Sequence, residues 1–340
     1  MSEQKAQLNA PFLLDPAGKD YIWGGRRLKD DFSKNLDLTP LAETWECSTH
    51  PDGPARAASG PFKGELLQDI LREHQEFFGT HPSANPDIQT QNGELPVLIK
   101  FIDAKRDLSV QVHPDDDYAR THENGALGKS EMWYVVDATP TAHLIYGFNR
   151  DMDRESVLRA LDDGSIEKYL QKVPVQKGDV FYIQSGTVHA ICAGALVVEV
   201  QESSNLTYRL YDYHRKGKDG KERPLHIAKA LDVANLKGSA QPRQPMHVLR
   251  YHPGIASEFL CRCKYFEVEH ILLNTERIRP MASYKSSATS FEVLIVTDGC
   301  GMLMWNSESL PFFRGDTFFV PADSPEIHIH GKAELLRVTC

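Results

Sequence analysis

The sequence predicts a mainly β protein with helical insertions, organised as two small antiparallel barrels. Short apolar segments that alternate with polar residues dominate residues 97–148 and resume at 179–213. A second set lies between 265 and 339, with turn residues about every ten positions. A polar stretch rich in Gly, Ser and Pro separates the two sets and is typical of a linker. We therefore expect a first domain at 1–234, the linker at 235–245 and a second domain at 246–340.

The first domain is predicted to contain antiparallel strands interrupted by helices. The expected strands are Val97–Ala104, Leu108–His113, Glu131–Asp137, Ala142–Phe148, 179–184, 195–201 and 206–213. Apolar residues at helical spacing predict helices at Gly64–Phe78, Arg154–Leu170 and Leu225–Leu231. The second of these is broken by Asp162-Asp163-Gly164 into a pair of helices. Their apolar stripes should pack against the strands.

The second domain is predicted to be a smaller β structure. Its expected strands lie near 265–272, 290–297, 300–305, 316–320 and 333–339. Gly315-Asp-Thr-Phe-Phe-Val-Pro321 repeats the form of Gly178-Asp-Val-Phe-Tyr-Ile-Gln184 in the first domain. This internal echo indicates duplication of one barrel.

Composition limits the classes of partner. With 340 residues, 41% hydrophobic and 25% charged, the chain is long enough for two domains with substantial cores. A net charge of −9 argues against nucleic acid or an anionic membrane as the main partner. No apolar run reaches the length of a signal peptide or a membrane span, so we expect a cytoplasmic protein. We also expect the protein to be a monomer. The six cysteines form no CxxC pair, which favours reduced thiols.

Four polar residues at the ends of predicted strands form a candidate metal site. Gln111 and His113 alternate within Leu-Ser-Val-Gln-Val-His-Pro, so both side chains point to one face of a strand. Glu131 opens another strand, and His189 follows the strand predicted at 179–184. A single such residue is usually just a hydrogen-bonded polar group. Four in this arrangement favour a metal centre.

The donor set indicates which ions would bind. Two imidazoles, one carboxylate and one amide oxygen suit Zn²⁺ and would also accept Mn²⁺, Co²⁺ or Fe²⁺. A divalent ion beside one carboxylate would keep a formal charge of about +1 and could stabilise an oxyanion on a bound substrate. The sequence therefore predicts a catalytic site.

The spacing resembles the signature motifs of the cupin (jelly-roll) barrels. Gly178, Gly186 and His189 match the second motif of that superfamily, with Gln184 where proline is usual. In the first motif, Gln111 stands where many cupins carry a histidine. The resemblance implies two cupin-like β-barrels, of which the first carries the metal.

A series of short motifs is similar to one family within that superfamily, the type I mannose-6-phosphate isomerases. The matching segments are Tyr21-Ile-Trp-Gly-Gly25, Glu43-Thr-Trp-Glu46, Leu108-Ser-Val-Gln-Val-His-Pro114, Lys129-Ser-Glu-Met-Trp-Tyr134, Ser185-Gly-Thr-Val-His-Ala190 and Gln201-Glu-Ser-Ser-Asn-Leu-Thr-Tyr-Arg209. They follow the family's order from about residue 21 to 226. So many motifs in one order make the resemblance highly specific.

The resemblance implies a reaction and roles for residues. It implies reversible conversion of mannose 6-phosphate to fructose 6-phosphate through an enediolate, with one zinc ion per chain held by Gln111, His113, Glu131 and His189. Arg209 would be catalytic, although Asn205 replaces the acidic residue usual four positions earlier. Lys100, Ser109 and Lys129 would contact the phosphosugar substrate. A lysine, a glutamate, a histidine or a metal-bound water could each move the proton, and the sequence does not rank them.

Further features of the sequence leave alternatives open. The second barrel is expected to be metal-free because Glu326 stands near the position of His189, while His328 and His330 have no upstream carboxylate partner. The basic run 215–223 favours a solvated loop over a flap that contacts phosphate. A regulatory or sugar-binding cupin without catalysis is the competing function. An iron-dependent oxygenase would call for a richer set of histidines.

Overall fold

Antiparallel strands make up most of the protein, as the alternating sequence predicts. The computed structural model describes residues 8–84, 91–242, 244–276 and 281–340. The strands of the first half are β1 Phe12–Asp15, β2 Ala17–Lys19, β3 Glu43–Cys47, β4 Arg56–Ala57, β5 Val97–Asp103, β6 Val110–Val112, β7 Glu131–Ala138, β8 His143–Phe148, β9 Leu170–Pro174, β10 Val180–Ile183, β11 His189–Ile191, β12 Ala195–Glu202 and β13 Tyr208–Tyr211. Those of the second half are β14 Arg250–His252, β15 Ile255–Arg262, β16 Glu267–Asn274, β17 Ala282–Tyr284, β18 Glu292–Trp305, β19 Glu308–Phe313, β20 Thr317–Val320 and β21 Ile327–Thr339.

The helices are short and lie between the strands. They are α1 Arg27–Asp30, α2 Leu67–Glu73, α3 Thr80–Ala84, α4 Asp116–His122, α5 Arg154–Asp162 and α6 Ile227–Val233, with 3₁₀ turns at Gln75–Phe78, Gln91–Gly93 and Ile166–Lys168. Within the described ranges, none of these helices has the length and apolar character needed to span a membrane.

The first half is a sandwich of two sheets. A six-stranded sheet has the order β10-β7-β12-β5-β3-β2, and a five-stranded sheet has the order β13-β6-β11-β8-β9. Trp133 and Val197 of the first sheet pack with Leu144 and Ile191 of the second in one buried cluster. The metal-site candidates therefore lie on two sheets that share a core.

A third layer comes from the second half. The ten-stranded sheet has the order β14-β15-β16-β21-β18-β20-β1-β4, with β17 paired to β21 and β19 to β18. Val293 and Phe319 of this sheet share a core with Ile99, Met132 and Val198, which belong to the other face of the six-stranded sheet. The six-stranded sheet is thus covered on both faces, which explains why β5 is buried along its whole length.

Segments that lie far apart in the sequence meet in the ten-stranded sheet. Strand β1 pairs antiparallel with β20, with Phe12 opposite Phe319, and continues to β4 on its other side. Strands β1 and β4, which were predicted to belong to the first domain, therefore complete the ten-stranded sheet of the second half. The expected boundaries at 234 and 245 stay a prediction.

Several predicted elements differ from the structure for identifiable reasons. Of the helix pair predicted at Arg154–Leu170, the first helix ends at Asp162 as expected, but the second is only a 3₁₀ turn at Ile166–Lys168, because Leu170 opens β9 and pairs with Phe148. The strands predicted at 290–297 and 300–305 are one strand, β18. Its Asp298-Gly299 sequence resembles a turn, but both residues pair with β21 directly after a bulge between Val296 and Asp298, and Gly299 adopts a φ of 80°.

Other elements went unpredicted because their sequences are polar. Helix α4 has few apolar residues, and its start depends on Asp115, whose carboxylate accepts a hydrogen bond from the Tyr118 amide at 2.9 Å. Strand β14 is exposed at every residue, so no alternation marks it. Such elements exist because their neighbours offer hydrogen-bond partners.

Glu202, at the end of β12, is a buried carboxyl that should make folding depend on pH. It is 2% exposed, and one of its carboxylate oxygens accepts a hydrogen bond from the Ser130 amide at 2.6 Å. Burial, and next the charge of Asp116, raise its pKa from 4.5 to about 7. The folded state therefore favours the protonated carboxyl, and this contribution to stability falls as the pH rises from about 4.5 through 7.

We expect Glu202→Gln to raise the free energy of unfolding at pH 8 by roughly 1–3 kcal/mol, because the amide removes a buried charge that is costly there. The gain should shrink at pH 5. Urea unfolding at both pH values measures it, with the exposed Glu308→Gln as matched control. An equal effect of Glu202→Gln at both pH values would contradict the assignment.

Candidate metal centre and active site

The predicted metal ligands stand on three neighbouring strands and their ends. Gln111 lies in β6 directly opposite His189, the first residue of β11. His113 follows β6, and its carbonyl accepts a hydrogen bond from the Gly186 amide at 2.8 Å. Gly186 adopts a φ of 85°, a conformation that favours glycine, so this turn sets the start of β11 beside β6. The turn accounts for the glycine that precedes the histidine in the motif.

His113, Glu131 and His189 form a group able to hold a metal ion. Their nearest side-chain donor atoms all lie within 4.8 Å of one another, and all three residues are buried. Glu131 Oε1 is 3.2 Å from His189 Nε2, and Glu131 Oε2 is 3.6 Å from His113 Nε2. Two ligand atoms bound tetrahedrally to one zinc ion at about 2.0–2.1 Å would lie roughly 3.3–3.4 Å apart. The spacing fits a single ion.

The Gln111 amide completes the arrangement. Its nitrogen as placed is 3.4 Å from His189 Nε2. A half-turn of the amide, which exchanges its oxygen and nitrogen, would direct the oxygen toward the same point. All four residues predicted as ligands thus converge.

The chemistry of the donors agrees with a metal. Neither carboxylate oxygen of Glu131 accepts a hydrogen bond of regular geometry from the described protein groups, although both are fully enclosed. Burial, above all, lowers the pKa of His189 to about 4 and that of His113 well below its ordinary value. Both imidazoles are therefore neutral at neutral pH, the form that binds metals.

Backbone carbonyls orient both imidazoles. The Nδ1 atom of His113 lies 2.8 Å from the Leu206 carbonyl, and that of His189 lies 2.8 Å from the Thr187 carbonyl. Each Nδ1 donates its proton there, which leaves Nε2 with its lone pair facing the cluster.

Two buried lysines and a further buried glutamate surround the metal group. Lys129 Nζ is 2.6 Å from Glu131 Oε2 and 3.7 Å from Glu199. Lys100 lies directly across the strand pair from Glu199, and its ammonium is 2.9 Å from that carboxylate. The Trp133 indole donates to the other oxygen of Glu199 at 2.9 Å. Each buried charge thus has a partner, which burial requires.

The network sets the charge of its carboxyl groups. Although burial opposes it, Lys100 and then Lys129 hold the pKa of Glu199 well below its usual range. Glu131 shifts in the opposite direction: burial first, and the charge of Glu199 second, raise its pKa. A cation bound at Glu131 would favour its ionised form.

Arg209 projects from β13 beside the metal ligands. It stands directly opposite Gln111, and its Nε donates to Ser109 Oγ at 3.2 Å. A terminal nitrogen donates to the Pro224 carbonyl at 2.8 Å. Burial lowers its pKa, and the neighbouring cation Arg223 lowers it further. Ser109 and Pro224 therefore fix a guanidinium that forms no ion pair with any residue of the described ranges.

A cavity of about 280 Å³ joins these groups. Its lining contains most of the predicted site residues together with aromatic and further charged side chains: Tyr21, Trp23, Glu43, Lys100, Ile102, Leu108, Ser109, Gln111, Lys129, Trp133, Ile191, Glu199, Asn205, Thr207, Arg209 and Arg223. Such a volume suits a small polar ligand. Gln111 of the predicted metal site, the two lysines and the two arginines are therefore accessible to one bound molecule, whereas His113, Glu131 and His189 lie behind the lining.

The arginine end of the cavity carries surplus positive charge. Arg223 donates to both oxygens of Asp212 at 2.8 and 2.6 Å, and Arg215 donates to the same carboxylate. One carboxylate thus serves two guanidinium groups, with Arg209 close by. The ends of the basic run at 215–223 are packed against the protein, whereas Lys216–Glu222 between them is mostly exposed.

Sequence reasoning missed Glu199 and Arg223. Glu199 stands in Leu-Val-Val-Glu-Val-Gln-Glu, an otherwise apolar strand, and a lone carboxylate in such a strand is itself a signal of a buried ion pair. Arg223 lay in a run that favoured a solvated loop.

In the second half, His330 Nδ1 is 2.9 Å from Thr275 Oγ1. The expectation of a metal-free second barrel stays a prediction.

Comparisons with known proteins agree with this geometry. Residues 12–139 match the catalytic domain of phosphomannose isomerase type I, and residues 256–340 match the cupin domain of mannose-6-phosphate isomerase. The second match, with the sheets described above, confirms the predicted mainly β, cupin-like fold class, although none of the three described sheets closes into the barrel that was predicted.

Curated relatives and a solved structure match nearly the whole chain. The mannose-6-phosphate isomerase ManA of Bacillus subtilis is 36% identical over 326 residues, covering 96% of this chain and 98% of that protein. Mannose-6-phosphate isomerase of Streptococcus mutans is 33% identical, covering 96% and 97%. A crystal structure of mannose 6-phosphate isomerase from Bacillus subtilis superimposes with a TM-score of 0.87 at 34% identity, covering 97% and 99%. Sequence and fold together show that the chain belongs to the type I mannose-6-phosphate isomerase family.

Proposed function

We propose that this protein interconverts mannose 6-phosphate and fructose 6-phosphate by moving a proton between C1 and C2 of the open-chain sugar. The observation that carries the proposal is the cavity itself. Next to Gln111 of its lining, His113 and His189 supply neutral imidazoles and Glu131 supplies a buried carboxylate that is paired with Lys129. Near it, Arg209 supplies a fixed cation. An enediolate needs positive charge at this place.

We propose one zinc ion per chain, held by Gln111, His113, Glu131 and His189. The mixed nitrogen and oxygen donors without thiolate support zinc. A mannose 6-phosphate isomerase of similar fold, 16% identical with a TM-score of 0.70, is described as bound with zinc and yttrium. When bound, the ion would polarise the oxygens at C1 and C2 of the substrate.

Arg209 is proposed as the residue that stabilises the enediolate. Its position opposite Gln111 brings the guanidinium beside the metal ligands, and Ser109 and Pro224 fix its orientation. A preorganised cation of this kind acts on charge that develops during the reaction. Ser109 thereby has a supporting role in addition to any contact with substrate.

Substrate contacts are proposed along the remaining wall. Lys100 and Lys129 line the cavity but are already paired with Glu199 and Glu131, so they would hydrogen-bond the sugar hydroxyls. The phosphate is proposed to lie toward Arg223, where two guanidinium groups share Asp212 and positive charge is in surplus.

Cytoplasmic location and a monomeric state stay predictions of the sequence.

A sugar-binding cupin without catalysis is the competing function. It would bind the phosphosugar but produce no isomerisation. A coupled assay of fructose 6-phosphate formation, with metal analysis of the same sample, separates the two functions.

Removal of the metal should abolish turnover reversibly. We expect about one zinc ion per chain by elemental analysis, loss of activity on chelation and recovery when zinc is restored. His113→Ala should lower metal content more than Gln111→Ala, because imidazole is the stronger zinc ligand. His328→Ala, a histidine of the second half, is the control and should leave metal content unchanged. Full activity without metal would refute the metal assignment.

Arg209→Ala should lower kcat by roughly 10²–10³-fold, the usual cost of about 3–4 kcal/mol for losing a group aimed at a developing oxyanion. Metal content and KM should stay close to the parent values. Steady-state kinetics with metal analysis measures both. A large rise in KM with kcat intact would reassign Arg209 to phosphate binding.

Arg223→Ala should raise KM with a smaller effect on kcat, because a phosphate contact acts equally in the ground and transition states. Asp212 keeps Arg215 as a partner in this variant, so the local structure should persist. The rise in KM should exceed that of the exposed control Lys218→Ala. An unchanged KM would place the phosphate elsewhere in the cavity.

A further inference from the structure

The segment 128–131 carries two residues of the proposed active site. Lys129 lines the cavity, Glu131 belongs to the metal group, and Lys129 Nζ is 2.6 Å from Glu131 Oε2. Strand β7 begins only at Glu131, so the three residues before it lie outside its pairing with β10 and β12. Other hydrogen bonds must therefore fix the backbone that carries Lys129.

Two buried carboxylates hold this segment through its backbone amides. The Gly128 amide donates to Asp116 Oδ1 at 2.9 Å, and the Ser130 amide donates to Glu202 Oε1 at 2.6 Å. The amide between them donates to a backbone carbonyl at 3.0 Å. A Cβ atom on Gly128 would lie 2.5 Å from the Asp116 amide nitrogen, so the segment packs directly against the start of α4. Asp116 thus fixes the point at which the segment enters the active site.

The second half of the protein reaches Asp116 through one turn. Tyr265 lies in the turn between β15 and β16, and its hydroxyl donates to Asp116 Oδ2 at 2.8 Å. Burial, followed by the charge of Glu202, raises the pKa of Tyr265, so the hydroxyl keeps its proton. Lys264 of the same turn and Arg120 of α4 lie farther from that oxygen, at 3.3 and 3.4 Å. One oxygen of Asp116 therefore binds the second half, and the other binds the segment.

The Tyr265 hydroxyl controls the plane of the Asp116 carboxylate. The χ2 angle of an aspartate has only a broad preference of its own, so its hydrogen-bond partners decide how the carboxylate is turned. A hydrogen bond of 2.8 Å constrains that plane more tightly than the longer contacts of Lys264 and Arg120. Loss of the hydroxyl would let the carboxylate rotate and would move the oxygen that holds Gly128.

We propose that Tyr265 is a positioning residue of the active site: through Asp116 it holds the backbone of residues 128–131 and so orients Lys129 and Glu131 toward the metal group. The inference rests on the proposed function, which assigns the metal to Glu131 and a sugar contact to Lys129. Tyr265 itself is absent from the cavity lining that the described residues form. The second half thereby takes part in the chemistry of a cavity that it does not line at this point.

The size of the effect follows from the length of the relay. Groups that hydrogen-bond a metal ligand directly contribute roughly 10- to 100-fold to metal affinity or activity. Tyr265 acts through Asp116 and the backbone, so removal of its hydroxyl should cost less, about three- to tenfold.

The test compares Tyr265→Phe, which keeps the ring and removes the hydroxyl, with the parent chain. Hydrogen–deuterium exchange of the full chain, with zinc bound and after its removal, should become faster at residues 128–131 and stay unchanged at β13. The affinity for Co²⁺, measured by competition with a chromophoric chelator, should fall about three- to tenfold, and kcat should fall by a similar factor. Tyr251→Phe makes the same change at a tyrosine of the second half that is 74% exposed, and it should alter none of these quantities.

Variants of Asp116 test the relay itself. Asp116→Ala should reproduce the effects of Tyr265→Phe, and the two changes together should add little to either alone, because both act through one carboxylate. Asp116→Asn keeps an oxygen for the Gly128 amide and turns its own amide toward Tyr265, whose hydroxyl can accept, so it should retain most of the Co²⁺ affinity.

Exchange and Co²⁺ affinity require no turnover, so they decide the positioning role even if the parent chain does not isomerise the sugar. The proposal is overturned if Tyr265→Phe leaves both quantities at the parent values or if exchange rises equally along the whole chain. Full additivity of Tyr265→Phe and Asp116→Ala would also overturn it.

Discussion

The active-site half of the molecule depends on the pairing of buried charges across β5, β12 and β7. Lys100, Glu199, Lys129 and Glu131 are each at most 4% exposed, and isolated charges at such burial would cost several kcal/mol each. Their formal charges cancel as two cations and two anions. A divalent ion added at Glu131 is therefore not neutralised by the network. Its positive charge would be left for the proposed anionic sugar intermediate, which would link the stability of the sheet to the chemistry of the cavity.

The pairing of buried charges across strands also explains why only part of the site could be predicted from the sequence. Gln111, His113, Glu131 and His189 follow from strand alternation and from spacing that resembles a known motif, and the structure brings the four together. Glu199 belongs to no motif of that kind. Its place is decided by the register that sets it opposite Lys100, and a register between strands about a hundred residues apart is a property of tertiary structure.

The fold could be predicted where local pattern and burial agree. Strands such as β5, β7 and β12 are long apolar or alternating segments, and their positions follow from that pattern. The sequence pattern does not predict a strand where pairing with an adjacent strand determines the structure. Strand β18 runs through Asp298-Gly299 because β21 pairs along nearly its whole length, and β14 is held at an edge by β15 despite full exposure. The second helix of the pair predicted at Arg154–Leu170 is only a 3₁₀ turn at Ile166–Lys168, because β8 takes Leu170 as a strand partner.

The pairing of β1 with β20 has a consequence for how the protein is made. Phe12 leaves the ribosome about three hundred residues before its partner Phe319. Until then, β1 and β4 carry apolar residues such as Leu14 and Ala57 with no completed sheet to receive them. Early segments that wait this long for a partner are exposed to aggregation and favour chaperone binding. The same pairing ties Phe12–Asp15 to Thr317–Val320 in one sheet, so removal of either strand would loosen the other.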